Sequence, residues 1–211
     1  MPYFHKIPTY IRWIYPEAWW TIPHEEKTIF LTFDDGVTPQ LTEFIVAQLD
    51  AFDAKATFFL VGEQSSKYPH LVQLLKDKGH HLGNHTYNHL NGWKVDNSTY
   101  LENIAQCQAI TQSTLFRPPY GRIKRKQIKA LRAKGYEIIM WDLIVGDFDP
   151  KISAEICLER MKKHTQSNSI IVLHDNAKFE AKIRYILPRI LAFYKQQGFN
   201  LLPIPYSLFK K

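Results

Sequence analysis

The sequence predicts an α/β protein of a single domain, in which parallel strands curl into a small, irregular barrel. From Thr28 onward, stretches typical of strands alternate with stretches typical of helices, which is the pattern of parallel sheets and barrels. The 211 residues suit one domain, and 45% of them are hydrophobic, which is enough for a core. The chain is too short for a regular eight-fold barrel of about 250 residues, so we expect a smaller one.

The predicted elements follow in order from local composition. The first strand begins at Thr28 with the run Thr-Ile-Phe-Leu-Thr-Phe, whose β-branched and aromatic residues favour an extended backbone. Further runs predict strands at 56–61, 81–85, 115–118, 137–141, 169–174 and 201–204. Helices are predicted between the strands at 38–52, 68–78, 98–113, 124–134, 153–164 and 180–197. Pro188 is expected to interrupt or kink the last helix, because proline lacks a backbone N–H.

The segment 1–27, which precedes the first strand, is predicted to be an aromatic arm. It holds three of the five tryptophans, and two of its prolines, Pro8 and Pro16, exclude one long helix. Apolar side chains generally find a core, so we predict that the arm packs on a barrel domain formed by residues 28–211. An alternative is that the aromatic side chains lie at a membrane interface, where Trp and Tyr are enriched.

Composition argues against several classes of protein. The sequence has no stretch of about 18 apolar residues, so no membrane span is predicted. The first residues lack the charged, apolar and small-residue regions of a secretory signal, and we expect a cytoplasmic protein. Cys107 and Cys157 are far apart in the chain, which favours small core residues over a disulfide framework or a thiolate metal site.

The chain is basic, with a net charge of +7 and a pI of about 9.3. Such a charge favours anionic surroundings, such as an acidic glycan or peripheral contact with a membrane. In the densest basic run, 122–134, Ile123, Ile128 and Leu131 fall at helical spacing, so its charges are interpreted as the solvated face of a helix. No nucleic-acid motif accompanies this run, and no nucleic-acid partner is expected.

Two adjacent carboxylates, Asp34 and Asp35, end the first predicted strand. Gly36 permits a turn there, so the two side chains need not point to opposite faces as they would in a continued strand. Two carboxylates this close require a cation, an arginine or a shared proton beside them. An alternative is that Asp-Asp-Gly is only a polar turn that closes a buried strand.

Other polar residues also follow predicted strands. In parallel βα architectures, the functional site forms at the carboxyl ends of the strands. These ends carry His85, His89, Arg117, Tyr120, Asp147, His174 and Asp175. We therefore expect these side chains to converge with the two aspartates at one mouth of the barrel.

The spacing of His85 and His89 indicates a metal site. A helical turn between them would place both imidazoles on one face, about 5–6 Å apart. Two imidazoles and one carboxylate are the ligand set of a hydrolytic Zn²⁺ or another divalent metal. A bare His-x-x-x-His is a weak motif in a chain with nine histidines. His81 has the same spacing from His85, but His80 and His81 are interpreted as structural residues within the strand.

Residues from about Thr28 to Ile204 resemble the polysaccharide deacetylase family, the NodB-homology or carbohydrate esterase family 4 group. The resemblance rests on five ordered motifs at 32–36 (Thr-Phe-Asp-Asp-Gly), 85–89 (His-Thr-Tyr-Asn-His), 117–121 (Arg-Pro-Pro-Tyr-Gly), 141–148 and 171–175 (Ile-Val-Leu-His-Asp). It implies a distorted (β/α)7 barrel that removes N- or O-acetyl groups from sugars with a single divalent metal, usually zinc.

The resemblance also implies roles for the residues of the first three motifs. Asp35, His85 and His89 would hold the metal. Asp34 would be the general base, and Arg117 would keep it ionised and oriented. These roles agree with the expectation that two adjacent carboxylates need cations beside them.

The remaining roles concern the leaving group and the acyl pocket. The backbone N–H of Tyr120 would donate to the oxyanion, and His174 would be the general acid, with its ring held by Asp147. The resemblance implies an acyl pocket walled by Pro119, Tyr120, Phe148 and Val172. Phe148 and Val172 stand where the family usually has tryptophan and leucine, and a smaller or reshaped pocket would change which acyl group is accepted.

We therefore expect a metal-dependent carbohydrate N-deacetylase that acts on a glycan containing N-acetylglucosamine. One alternative is a deformylase or amidase that acts on a lipid-linked sugar or another small amide. An alternative of another class is a catalytically silent glycan-binding module. The intact ligand, acid and base positions favour an enzyme.

Overall fold

The computed structural model describes residues 4–206 of the chain. Its strands are β1 (Ala18–Trp19), β2 (Thr28–Asp34), β3 (Thr57–Leu60), β4 (His81–Asn84), β5 (Leu115–Phe116), β6 (Glu137–Ile139), β7 (Leu143–Ile144), β8 (Ile170–His174) and β9 (Asn200–Leu201). Its α-helices are α1 (Thr9–Arg12), α2 (Leu41–Ala51), α3 (Gly62–Lys67), α4 (Pro69–Asp77), α5 (Asn97–Thr111), α6 (Arg125–Ala133), α7 (Ala154–His164) and α8 (Glu180–Gln196). Short 3₁₀ helices lie at Pro119–Gly121 and Ala177–Phe179.

The strands form one curled parallel sheet in the order β1-β6-β5-β4-β3-β2-β8-β7, and β9 pairs with the start of β2. All pairings between these named strands are parallel, so their carboxyl ends share one edge. This arrangement confirms the prediction of a distorted (β/α)7 barrel.

A short connection between β6 and β7 joins the two sides of the curled sheet. β6 pairs with β5 at one side of the sheet, and β7, only a few residues later, pairs with β8 at the other side. The sequence predicted one strand at 137–141 and no strand at 143–144, where β7 lies. β7 has only two residues and follows the polar residue Asp142, so local composition gives no clear strand signal there.

The central strand β2 is buried on both faces. Because successive side chains of a strand point to opposite faces, Ile29, Leu31 and Phe33 pack in the core beneath the outer helices. Thr32 and Asp34 are on the other face, inside the barrel, where both contact Arg117. The alternation of the strand thus delivers Asp34 to the interior of the barrel.

Helix α8 does not show the predicted interruption at Pro188. It runs without interruption from Glu180 to Gln196, with Pro188 inside it. Proline in a helix interior costs about 3 kcal/mol, but this helix buries the side chains Ile183, Ile186, Leu187, Ile190, Leu191 and Tyr194. Each fully buried large apolar side chain contributes about 1.5–3 kcal/mol, so burial outweighs the lost hydrogen bond.

Other local predictions have mixed outcomes. The short helix α3 was not predicted, because Gly62–Lys67 is polar and has no clear apolar spacing. Cys107 and Cys157 are free and buried, as expected for core residues. In the basic run that leads into α6, the apolar side chains Ile123, Ile128 and Leu131 are buried. This confirms that the charges of the run lie on the outer face.

The described part of the arm contacts the barrel at several points. β1 pairs with β6, and Trp20 is buried among the side chains around α5 and α6. Phe4, Tyr10 and Trp13 are exposed, with Trp13 retaining 75% of its accessible surface. Among residues 4–206, no helix has the length and apolar character needed to cross a bilayer.

Candidate active site

A buried ion pair lies inside the barrel at the carboxyl ends of the strands. Nη1 of Arg117 donates to Oδ1 of Asp34 at 2.7 Å and to the hydroxyl of Thr32 at 2.7 Å. The same guanidinium donates to the carbonyl oxygens of Ile139 and Met140, at 3.3 and 3.0 Å. Arg117 is fully buried and Asp34 is only 4% exposed. A charge this far from water requires such partners, and they fix the Asp34 carboxylate in one orientation.

Asp35, His85 and His89 form a second cluster beside this pair. Oδ1 of Asp35 lies 3.2 Å from Nε2 of His89 and 3.8 Å from Nε2 of His85. One ligand-type atom from each residue lies within 4.8 Å of the other two. The predicted helical turn between the histidines is wrong: residues 85–89 form a loop, with positive φ at Thr86 (63°) and His89 (55°). The loop brings the two rings to a centroid distance of 5.1 Å.

The cluster fits a divalent metal. Ligands bonded to a tetrahedral Zn²⁺ at about 2.0–2.2 Å lie roughly 3.4 Å from one another, close to the two distances measured from Asp35. Nδ1 of His85 lies 2.7 Å from the carbonyl oxygen of Arg117, so Nδ1 carries the proton and Nε2 keeps its lone pair. Burial lowers the pKa of His85 to about 4, so the ring is neutral at pH 7, as a metal ligand must be.

The charge state of Asp35 also suits a ligand. Burial alone would raise the pKa of this carboxyl. The hydrogen bond from His89 and the positive charge of His174 outweigh burial and hold the pKa of Asp35 well below its usual range. Asp35 is therefore a carboxylate at all physiological pH values.

His174 and Asp147 form a third group. Nδ1 of His174 donates to Oδ1 of Asp147 at 3.0 Å, and the backbone N–H of His174 donates to Oδ2 at 2.7 Å. Asp147 is fully buried, so its charge is focused on this ring. Burial alone would lower the pKa of His174, but the Asp147 carboxylate raises it to about 9. The ring is therefore an imidazolium at pH 7, with Nε2 directed away from Asp147.

The predicted pocket residues lie around these groups. The Tyr120 hydroxyl lies 3.1 Å from Nδ1 of His89, and its backbone has a left-handed φ of 61°. Pro119 is buried at the start of the same 3₁₀ helix. The Phe148 ring packs edge-on against His174, with centroids 5.2 Å apart. Val172 is fully buried in β8, two residues before His174.

Sequence reasoning missed two contacts of the site. Thr32 accepts a hydrogen bond from Arg117, and its position two residues before Asp34 on the same strand signals a shared face. Nδ2 of Asn176 donates to Oδ2 of Asp35 at 3.2 Å. Its sequence signal is weaker: Asn176 follows His174 by two residues at the carboxyl end of β8.

His80 and His81 lie outside the metal cluster, at the opposite end of β4. Nδ1 of His81 lies 2.7 Å from the carbonyl oxygen of Ile204, and its ring stacks on Tyr206 at a centroid distance of 4.2 Å. Nδ1 of His80 accepts from the backbone N–H of Ala56 at 3.3 Å. Both histidines therefore make their contacts at the amino end of β4.

Comparison with known proteins identifies the family of this chain. The family model described as polysaccharide deacetylase matches residues 21–139, and the chain belongs to the polysaccharide deacetylase family. A peptidoglycan-N-acetylglucosamine deacetylase from Bacillus cereus is 30% identical over 194 residues, which cover 88% of this chain and 90% of that protein.

Solved structures agree on the fold. The crystal structure of the Bc1960 peptidoglycan N-acetylglucosamine deacetylase, in complex with 4-naphthalen-1-yl-N-oxidanyl-benzamide, has a TM-score of 0.86 at 28% identity. The match covers 94% of this chain and 95% of that one. A carbohydrate esterase family 4 pseudoenzyme from Bacillus anthracis shares the fold with a TM-score of 0.77 at 21% identity, over 90% of this chain and 68% of that one. The fold alone therefore does not establish activity, which depends on the side chains of the site.

Proposed function

We propose that this protein is a metal-dependent hydrolase that removes N-acetyl, or O-acetyl, groups from a glycan containing N-acetylglucosamine. The observation that carries the proposal is the meeting of three groups at one end of the barrel: the Asp35, His85 and His89 cluster, the Asp34–Arg117 pair and the His174–Asp147 pair. Membership of the polysaccharide deacetylase family and similarity to the Bacillus cereus enzyme support the choice of substrate class.

Asp35, His85 and His89 would hold one divalent metal, Zn²⁺ or another transition metal. When bound, such an ion polarises an acyl carbonyl and lowers the pKa of water near it. Three protein ligands leave positions open for water and substrate, as hydrolytic zinc sites require.

Asp34 would act as the general base, which takes a proton from the attacking water. Its Oδ1 is held by Arg117 at 2.7 Å, so the carboxylate cannot turn away from the site. Arg117 supplies the counter-charge of this carboxylate, and a general base needs a free electron pair to accept the proton. The backbone N–H of Tyr120 would donate to the oxyanion that forms as water attacks the carbonyl.

His174 would act as the general acid. An amine leaves poorly as an anion, so cleavage of the C–N bond requires a proton on the sugar nitrogen. His174 carries that proton at pH 7 because Asp147 raises the pKa of the ring to about 9. After the transfer, acetate and a free amino sugar are the products.

Exposed aromatic rings support a sugar substrate. Tyr120, which lies beside His89, is 62% exposed, and Trp93, four residues after His89 in the sequence, is 50% exposed. Nε1 of Trp93 donates to the carbonyl oxygen of Ile123 at 3.0 Å, which ties this indole to the loop that carries Tyr120. Large aromatic side chains left open next to a site are typical of a binding surface.

The test is release of acetate by the Zn²⁺-loaded protein from N-acetylglucosamine oligomers and from peptidoglycan, with free amines measured in parallel. We expect equal amounts of acetate and new amine. Release of formate from N-formylated sugars, without release of acetate, would favour the amidase alternative. Binding of the oligomers without any acyl release would identify a silent glycan-binding module.

A further inference from the structure

Asn176 makes two hydrogen bonds directly after β8. Its Nδ2 donates to Oδ2 of Asp35 at 3.2 Å. Its Oδ1 accepts from the backbone N–H of Lys178 at 3.1 Å, which caps the 3₁₀ helix Ala177–Phe179. The side chain therefore connects a proposed metal ligand to the backbone of a neighbouring element.

The bond from Lys178 decides which end of the amide faces Asp35. A backbone N–H can only donate, so the atom of Asn176 that faces Lys178 must be the oxygen. The NH₂ group then points at the Asp35 carboxylate, which can only accept. Both bonds are satisfied in this orientation of the amide and neither in the flipped one.

The two oxygens of Asp35 consequently have different partners. Oδ2 accepts from Asn176, whereas Oδ1 faces the imidazole nitrogens of His89 and His85. We propose that Asn176 is a positioning residue for the metal centre: it holds Oδ2, so that Asp35 offers Oδ1 alone to the cation. This inference rests on the proposed function, because it requires that the cluster bind a metal.

The backbone around Asn176 is fixed well enough for this role. The backbone N–H of Asp175 donates to the carbonyl oxygen of Asp34 at 2.8 Å, and the Thr38 hydroxyl donates to the carbonyl oxygen of Asp175 at 2.9 Å. The buried Asp175 side chain accepts from the Thr42 hydroxyl at 2.5 Å.

Packing adds a further constraint. A Cβ atom at Gly36 would lie 2.4 Å from Oδ2 of Asp175, so only glycine fits beside this carboxyl. The turn that carries Asp35 and the strand end that carries Asn176 are thus joined through backbone bonds and direct contact. The hydrogen bond from the Asn176 amide therefore restricts the rotation of the Asp35 carboxylate.

Removal of this donor is expected to weaken metal binding. Hydrogen bonds to ligand side chains typically change metal affinity about 10–100-fold when they are lost, because the ligand must then be ordered during binding. We expect a change of this size for the Zn²⁺ dissociation constant of the Asn176→Ala protein.

Asn176→Ser separates the two hydrogen bonds. The serine hydroxyl can still accept from the Lys178 N–H and cap the 3₁₀ helix, because serine is a good N-cap residue. Its shorter side chain cannot also reach Asp35. Lys178→Ala is the matched control, since it removes a neighbouring charge but leaves the Lys178 backbone N–H in place.

The measurement is the Zn²⁺ dissociation constant of each full-length variant, obtained by competition with a chromophoric chelator, together with the thermal unfolding midpoint without metal. We expect Asn176→Ser and Asn176→Ala to bind Zn²⁺ about 10-fold or more weakly, and Lys178→Ala to match the wild type. If Asn176→Ser binds as the wild type does and only Asn176→Ala is impaired, the side chain is merely a cap and the inference is overturned.

Two other results separate this inference from the proposed function. If the wild type binds one Zn²⁺ and both Asn176 variants keep its affinity, the metal centre stands and Asn176 has no positioning role. If the wild type binds no divalent metal, the proposed metal centre is wrong and the role of Asn176 falls with it.

Discussion

Asp34 and His174 are register partners at the carboxyl ends of two hydrogen-bonded parallel strands, β2 and β8. Neighbouring strands lie about 4.8 Å apart, so the sheet itself sets the distance between these two backbone positions. Each side chain then receives its partner from another part of the barrel: Arg117 follows β5, and Asp147 follows β7. The proposed base and acid are therefore placed by paired strands of the sheet and not by loops.

The first prediction concerns the metal ligands. His85→Ala and His89→Ala should each lose stoichiometric Zn²⁺, because two protein ligands remain where hydrolytic zinc sites use three. His81→Ala is the control, because His81 contacts Ile204 and Tyr206 at the other end of the strand and should leave the metal in place. Metal analysis of the desalted proteins decides the matter. Loss of zinc from the His81 variant alone would show that the ligands are misassigned.

The second prediction concerns the base. Asp34→Asn should keep the metal but lose about 10²–10⁴-fold in turnover, since an amide cannot accept the proton of the attacking water. The change also leaves the buried Arg117 without its counter-charge, so the folded fraction must be measured by circular dichroism at the assay temperature. Near-normal turnover in folded, metal-loaded protein would contradict the role given to Asp34.

The third prediction concerns stability. Arg117→Met should lower the free energy of unfolding by about 3–5 kcal/mol, because it leaves a buried carboxylate unpaired. Arg125→Met, at an exposed position of α6, should change the free energy of unfolding little. Urea unfolding of both variants provides the comparison. Equal effects of the two changes would mean that the Asp34–Arg117 pair does not stabilise the fold.

The sequence predicted most of what local chemistry controls. The alternation of strand and helix patterns, the adjacent carboxylates and the paired histidines are properties of short segments, and the structure brings Asp35, His85 and His89 together as expected. The conformation between the histidines was predicted wrongly. Spacing i, i+4 suits a helical turn, but a loop with left-handed residues at Thr86 and His89 also brings the two rings together.

What the sequence could not provide depends on contacts distant in the chain. Thr32 and Asn176 are ordinary polar residues until the fold places them beside Arg117 and Asp35. The continuity of α8 through Pro188 likewise depends on the side chains that the helix buries and not on local propensity. Such contacts have no sequence signature because each partner lies in a different element.

The fourth prediction concerns the arm, which we propose is held on the barrel domain by a buried carboxylate. Nζ of Lys6 and Nη2 of Arg12 lie 2.5 and 2.6 Å from the oxygens of Asp142, whose side chain is 2% exposed. Asp142→Asn removes the charge that attracts both cations, so trypsin should cleave faster after Lys6 and Arg12. Mass spectrometry of timed digests measures the two rates.

A matched change tests whether this effect is local to the arm. Asp50 also pairs with two lysines, but its side chain is 31% exposed. Asp50→Asn should leave cleavage after Lys6 and Arg12 unchanged, because exposed ion pairs contribute little. Unchanged cleavage in the Asp142 variant as well would indicate that the strand pairing of β1, and not Asp142, holds the arm.

The last prediction concerns the acid and its partner. The Asp147 carboxylate raises the pKa of His174 from 6.5 to about 9, so Asp147→Asn should lower it, and the alkaline limb of the pH–rate profile should move to lower pH. The His174–Asp147 pair also contributes to the free energy of unfolding. This contribution is full below pH 6.5 and is lost as the pH rises through about 9, because between these values only the folded state keeps the proton on His174. In the Asp147→Asn protein this fall in stability should shrink.

Substrate choice distinguishes acid catalysis from a structural role. An amide requires a proton on its leaving nitrogen, whereas an activated acetyl ester has a leaving group that needs none. His174→Ala should therefore lose about 10²–10⁴-fold on the amide and much less on the ester. Asp147→Asn should show the same selectivity more weakly, and most clearly at alkaline pH, where its ring has lost the proton. The ratio of amide to ester turnover across pH is the measurement. Equal losses on both substrates would leave His174 as a structural residue or a hydrogen-bond donor to the transition state.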